Sequence, residues 1–287
     1  GFESANIAVM INGVPVNDME WGGVYWSNWA GLSDVTRSMQ VQRGLGASKV
    51  AAPSLGGSIN IVTRSTDAQK GGSVSYGIDG SGLNKVAFSV STGLTEKGWA
   101  LTLLGAKSKG NGYIQGTEFE SYTYFVNISK RINDAHQISF TAFGAPQWHN
   151  QRSAYDQLTI AQWQLQPEKY KYNATYGFDM NGQRKTSAYN VYHKPQISLN
   201  HFWTISPKTS LSTALYASIA SGYGYSGQGT SAYKAGWYGA SSGVPNPLYR
   251  AEDGTFDYGA IYALNQASTT GSQMVMSKSV NAHKWFG

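Results

Sequence analysis

From about residue 70 onward the chain alternates apolar and small polar residues with a period of two, a pattern that fits only strands with two unlike faces. In SVSYGID, Val74, Tyr76 and Ile78 share one face, against Ser73, Ser75 and Asp79. In KVAFSVS, Val86, Phe88 and Val90 oppose Lys85, Ala87, Ser89 and Ser91. WALTLLG aligns Trp99, Leu101 and Leu103. SYTYFVNIS sets Tyr122, Tyr124, Val126 and Ile128 against Ser121, Thr123, Asn127 and Ser129. QISFTAF, QISLNHFW and LSTALYASIA repeat the scheme. His201 is the misfit, because it shares parity with Ile197, Leu199 and Trp203. Either it lies at the edge of an apolar band beside Trp203, or a bulge shifts the register.

The connections alternate too. Strands two and three are joined by Thr95 to Gly98, four and five by RINDAH, six and seven by SPKTS. After a short first turn near Gly80, the other connections are longer: GNGYIQGTE, then stretches from about 146 to 194 and from about 223 to 276. Short turns at one end and long loops at the other are the layout of an up-and-down outer-membrane barrel, whose apolar face meets lipid and whose small polar face lines the lumen. Closure follows because lipid cannot satisfy an open strand edge. A soluble β-sandwich also alternates, but it gives no reason for long loops recurring at one end only. Charge supports the barrel. Only 13% of residues are charged, against about 25% in soluble proteins.

Composition closes other routes. The net charge is +6, but Lys and Arg are scattered singly, so nothing suggests nucleic acid or a basic membrane-surface helix. There is no cysteine, which excludes disulfides and thiolate metal sites. The five histidines lack metal-ligand spacing, so no metal or cofactor is expected. GLGASK and GYGYSG superficially resemble phosphate loops, but neither opens a helix after a buried parallel strand. SAYK has the spacing of an acylating serine without its companion motifs. No catalytic constellation is found, and an enzyme is not expected.

The first seventy residues do not follow the alternation. IAVMINGVPV reads as a short strand turned by Asn12-Gly13, and NDMEWGGVYWSNWAG as a Trp-rich loop. LSDVTRSMQVQRG reads as a short turn or helix entering a strand at Met39 to Gln42. INGVPV followed by VQRGLGASKVAAPSLGGSINIVTR resembles the second half of the plug domain of TonB-dependent outer-membrane transporters, most closely in wording those of the Bacteroidota. That family has a DGVP-like turn, a VLRGP-like element and a GG-x-INIVT strand leading into the barrel. The branch that pairs with a surface lipoprotein usually carries LKDASAAAIYG where this chain has VQRGLGASKVAAP, which argues against that partner.

The resemblance implies an all-β transmembrane barrel of 22 strands. About seven or eight would be present here, over residues 67–287, preceded by part of a small mixed α/β plug over residues 1–66. Apparent strands at both termini lead to the expectation of a segment of a longer chain. The resemblance further implies uptake of a ligand (glycan, peptide or metal chelate) energised by TonB, ExbB and ExbD, with outer-membrane lipids around the barrel. In the family, plug-apex loops and long barrel loops meet the ligand. Here that corresponds to Asn17, Asp18, Met19, Glu20, Trp21, Tyr25, Trp26 and Trp29 in the plug, and to Trp148, Tyr155, Trp163, Tyr225 and Trp237 in the loops. Packing of these aromatics between plug and wall is the alternative role. The family's arginine in this plug motif pairs with barrel-wall glutamates, which assigns Arg43 as a plug latch. A surface adhesin or assembly-partner barrel without transport is the alternative function.

Overall fold

A computed structural model of the chain describes residues 3–44, 54–152, 159–165, 171–173, 176–178, 184–185, 188–227, 251–252, 256–257, 276–281 and 284–286. Two sheets carry almost all of the architecture, with opposite distributions of polarity.

The first sheet is small. After a 3₁₀ turn at Ser4–Asn6, β1 (Ile7–Ile11) turns through Asn12-Gly13 into β2 (Val14–Pro15). Asn12 and Gly13 have φ of 53° and 80°, the left-handed pair that a two-residue hairpin turn needs. A loop then leads through a 3₁₀ turn (Trp26–Trp29) and helix α1 (Leu32–Val35) to β3 (Thr36–Arg43) and β4 (Gly57–Thr63). The strand order is β2-β1-β4-β3, with β1 parallel to β4 and the other pairs antiparallel. The glycine that opens β4 has a steric origin: at Gly57 (φ +121°) a Cβ would lie 2.1 Å from the Gln42 carbonyl oxygen, so only glycine fits there. This sheet and its loop have an ordinary apolar core, built from Val9, Ile11, Val16, Val24, Trp29, Leu32, Val35 and Ile61.

The second sheet contains β5 (Gly71–Ile78), β6 (Asn84–Ser91), β7 (Trp99–Gly110), β8 (Phe119–Arg131), β9 (His136–Gly144) and β10 (Gln147–Gln151). Helix α2 (Ile160–Leu165) and short strands β11 (Gly177–Phe178) and β12 (Arg184–Lys185) follow. The sheet resumes with β13 (Ala188–His193), β14 (Gln196–Ser206), β15 (Thr209–Ile219) and β16 (Ser221–Gly227). After β17 (Phe256–Asp257), which joins β11 and β12 in a small separate sheet, β18 (Met276–Asn281) and β19 (Lys284–Phe286) complete it.

Its twelve strands form eight lines, because four lines are broken in two: β9/β10, β14/β13, β15/β16 and β19/β18. All pairings are antiparallel between neighbours, as in a meander. Among the described residues, β5 at one end and β18/β19 at the other have no further partner, so the barrel is open.

All seven alternating segments are strands, and the sheet is polar inside and apolar outside. Val74, Tyr76, Val86, Phe88, Ile128 and Leu199 are exposed, whereas Ser121, Thr123, Asn127, Ser129, Thr141 and Asn200 are buried. Asn127 shows how the inner face satisfies itself. Its amide nitrogen donates to Ser139 Oγ and Thr141 Oγ1 at 2.9 Å each, and its oxygen accepts from Ser129 Oγ at 2.7 Å. Buried polar groups cost little when paired in this way.

The eleven residues of β14 suffice to cross an apolar band, so β10, β13 and β16 rise beyond it at the long-loop end. His201 faces outward with no register shift before Thr204. It stacks on His136 with ring centroids 5.3 Å apart, and His136 stacks on Trp203 at 5.3 Å. With Lys130 placed 5.0 Å over Trp99, these rings form an interfacial belt at the short-turn end. The edge-of-band alternative for His201 is therefore the one observed.

The long connections are shorter than the sequence suggests. Pro146 and Pro195 read as loop boundaries, but each only interrupts a ladder, since proline lacks the amide donor. The Pro146 carbonyl still accepts from Tyr122 N at 2.9 Å, and the strands run on through Gln151 and back in from Ala188.

Candidate functional site

The small sheet leans on the polar face of the strand array through a few specific contacts. Three inward residues break the alternation there. Leu104, Phe125 and Phe143 are register partners in adjacent strands, and all are buried. They join the apolar core of the small sheet, and Trp29 stacks on Phe143 at 6.0 Å and 15°. Around this seat, Thr123 Oγ1 donates to the Ala30 carbonyl at 3.0 Å. At Gly31 (φ +75°) a Cβ would lie 2.3 Å from Thr123 Oγ1. Lys85, an inward cation on β6, pairs with Asp34 of α1 at 2.7 Å, and the second Asp34 oxygen is buried without a hydrogen bond. At the short-turn end the contacts are single neutral bonds, Ser65 Oγ to Ser129 Oγ at 2.9 Å and Thr66 Oγ1 to Gln137 Oε1 at 3.2 Å.

The loop after β2 forms the apex of the small sheet, at the long-loop end of the array. Its candidate residues divide into two groups. Asn17 is consumed structurally: its oxygen accepts from Val9 N at 2.7 Å, and its nitrogen donates to the Ile7 and Gly22 carbonyls at 2.8 and 2.7 Å. Asp18 is buried and caps the turn, accepting from the backbone nitrogens of Glu20 and Trp21 at 2.9 and 3.2 Å. Trp29 belongs to the seat. The polar atoms of Asn17 and Asp18 are thus engaged by the loop's own backbone, and the Trp29 ring by the seat.

Met19, Glu20, Trp21, Tyr25 and Trp26 are exposed at the tip. Trp21 and Tyr25 lie 5.2 Å apart at 58°, and the Trp21 ring covers Gly23. Burial, then the charges of Asp18 and Glu20, holds the Tyr25 phenol above its ordinary pKa.

The wall facing this tip was missed by sequence reasoning. Gln147, His149, Gln151 and Asn190 lie on the inward face of β10 and β13, linked edge to edge. Gln147 Nε2 donates to Asn190 Oδ1 at 3.1 Å; His149 Nδ1 lies 2.7 Å from Gln147 Oε1, and His149 Nε2 lies 2.9 Å from Gln151 Nε2. Burial depresses the His149 pKa, which favours the neutral imidazole. Tyr192 follows on the same face, and its phenol is raised by burial first and then by the charges of Asp18, Tyr25 and Glu20. The available signal was the period-two reading continued past Pro146.

The loop placement of Trp148 is a correction. It lies in β10, pairs with Glu120 and Val191 and sits tilted against Tyr189 at 5.9 Å, on the outward face. The cause is parity: as Gln147 and His149 point in, Trp148 points out. Trp163 falls in α2, and Tyr225 pairs in register with Tyr189. Tyr155 and Trp237 lie outside the described residues. Arg43 ends β3, exposed and alongside exposed Met39 and Val41. It makes no ion pair among the described residues.

No protein-family model matches the chain. Over 163 residues it is 26% identical to the vitamin B12 transporter BtuB of Vibrio vulnificus, covering 54% of this chain and 26% of that protein. The fold is similar to the closed form of the ferric-catecholate import receptor Fiu of E. coli K12, with a TM-score of 0.57 at 15% identity. The fold is that of a TonB-dependent outer-membrane receptor. The unliganded ferric citrate transporter FecA gives a TM-score of 0.57 at 14% identity, covering 79% of this chain and 33% of that receptor.

The chain covers 32% of the length of Fiu, with 81% of itself aligned. It thus spans about a third of such a receptor's length, and the proteins it matches are transporters and receptors rather than enzymes. The likeness to Bacteroidota wording has no counterpart among these relatives. In receptor terms, the small sheet is plug, the array is wall, and the tip of the loop after β2 is the plug apex.

Proposed function

We propose that the full-length receptor carrying this segment takes up a nutrient across the outer membrane, energised by TonB, ExbB and ExbD. In this reading residues 1–66 are plug and residues 67–287 the first part of the barrel. The carrying observation is the seat: an apolar-cored plug held against the polar inner face of an inside-out strand array by Leu104, Phe125 and Phe143. A plug so placed obstructs a lumen, and an obstruction suits gated import better than simple surface adhesion. Arg43, exposed and without an ion pair among the described residues, is proposed as a latch to wall carboxylates beyond this chain, because it would need a partner once a complete wall enclosed it. The apex and the two long loops, 152–187 and 228–275, are proposed to capture the nutrient, since loops on a rigid scaffold carry recognition.

Shortening either loop is expected to abolish or strongly weaken nutrient capture while the barrel still folds. The check is depletion of medium components by cells carrying each deletion, with folded receptor measured by heat-modifiable electrophoretic mobility. Unchanged depletion in both variants would move recognition elsewhere.

A further inference from the structure

We infer that the vestibule above the plug takes a neutral, hydroxyl-rich ligand of the oligosaccharide type. The inference rests on the uptake reading and names the ligand class for the same site.

The floor is aromatic. Trp21, Tyr25 and Trp26 expose ring surface at the apex, and flat apolar faces with polar rims suit the C–H faces of sugar rings. The wall is polar and uncharged. The Gln147–His149–Gln151–Asn190 ladder holds amide and imidazole groups in fixed orientation, and burial favours neutral His149. Such groups donate to and accept from hydroxyls, and they bring no net charge to answer a ligand's own.

The local charge points the same way. Glu20 is exposed at the tip and Asp18 sits beneath it. A carboxylate accepts from hydroxyl pairs but repels a polyanion. Lys194 is buried on the wall, and burial disfavours its charged form, so it is not presented as an anion anchor.

The same chemistry continues below the apex. A cavity of about 440 Å³ separates the short-turn end of the plug from the wall, in the size range of ligand pockets. Its wall side presents Asn127, Ser139, Thr141 and Asn200. On its plug side the charges of Arg37 and Asp67 pair at 3.1 Å. A hydroxyl-rich molecule leaving the apex would exchange hydrogen bonds along this wall, whereas an anionic ferric chelate would meet no free cation on the groups named here.

The test uses the purified full-length receptor, titrated with neutral malto-, xylo-, manno- and chito-oligosaccharides, and separately with ferric citrate and a ferric tris-catecholate. Tryptophan fluorescence and calorimetry report binding. At least one neutral oligosaccharide is expected to saturate, with affinity that changes less than about twofold between about 50 and 500 mM salt, since no charge pairing is screened. Trp26→Ala and Asn190→Leu should each weaken it about tenfold or more, with heat-modifiable mobility confirming a folded barrel. Saturable binding of a ferric chelate, or no binding by any neutral probe, overturns the inference.

Accumulation of the bound probe is measured in parallel in cells with and without TonB. A chelate accumulated only with TonB removes the ligand class and leaves the uptake reading standing. A sugar that binds without TonB-dependent accumulation does the reverse.

Discussion

Phe125→Ala and Phe143→Ala should each unseat the plug. Both rings are almost fully buried, at 1% and 2% exposure, and together with Leu104 they form the apolar patch on an otherwise small and polar inner wall. Truncating a buried phenylalanine costs about 3–5 kcal/mol, part of it from the cavity left behind. Here the loss falls on the interface between two elements, because Phe143 also carries the stack with Trp29. The neighbouring plug–wall contacts are single hydrogen bonds and one ion pair, worth about 1 kcal/mol each for the neutral bonds. They cannot compensate for the lost ring. The barrel strands should still pair, because their ladders do not depend on the rings. The expected result is normal heat-modifiable mobility with raised ion conductance in planar bilayers and faster protease cleavage within the plug. Conductance equal to wild type in both variants would show that the seat does not hold the plug.

Gly31→Val should displace the plug by a different route. Gly31 has φ +75°, a region that costs a β-branched residue about 1–2 kcal/mol. Its Cβ would also lie 2.3 Å from Thr123 Oγ1 and 2.9 Å from Thr123 Cβ, too close for any non-bonded pair. Relief requires the plug to withdraw from the wall, which breaks the Thr123–Ala30 hydrogen bond and strains the Lys85–Asp34 pair nearby. Overpacking of this kind adds about 1–3 kcal/mol. The pairing of Gly31→Val with Thr123→Gly separates the two costs, since removing the threonine side chain relieves the collision and leaves only the backbone strain. The double variant should recover part of the lost plug protection against protease. A double variant as open as Gly31→Val alone would assign the effect to backbone conformation rather than to the wall contact.

The outward faces were legible because lipid-facing strands need period-two apolarity, from which His201 departs only at the edge of the band. The plug strands were legible from turn chemistry: Asn12-Gly13 sets the hairpin, and Gly57 is forced by the Gln42 carbonyl. The seat was written in the same letters but as exceptions. Leu104, Phe125 and Phe143 are apolar residues at polar parity, and only the register shows that they are neighbours in adjacent strands.

The local partners of the apex residues were not legible, for another reason. Polar residues in a loop offer themselves equally to a ligand and to their own backbone, and Asn17 and Asp18 are taken by the backbone. Composition cannot separate the two uses. The loop placement of Trp148 failed because a loop was drawn where Pro146 interrupts only one ladder position. Once the strand continues, Gln147 and His149 turn inward and Trp148 turns out.

The proposed energised import through a plugged barrel is tested most directly by measuring which components of a defined medium are depleted by cells carrying the full-length receptor, compared with cells lacking it, each with and without TonB. Mass spectrometry of the medium needs no prior choice of nutrient. At least one component should be depleted only when receptor and TonB are both present. Depletion that is the same without TonB, or binding at the surface with no TonB-dependent loss from the medium, would contradict it.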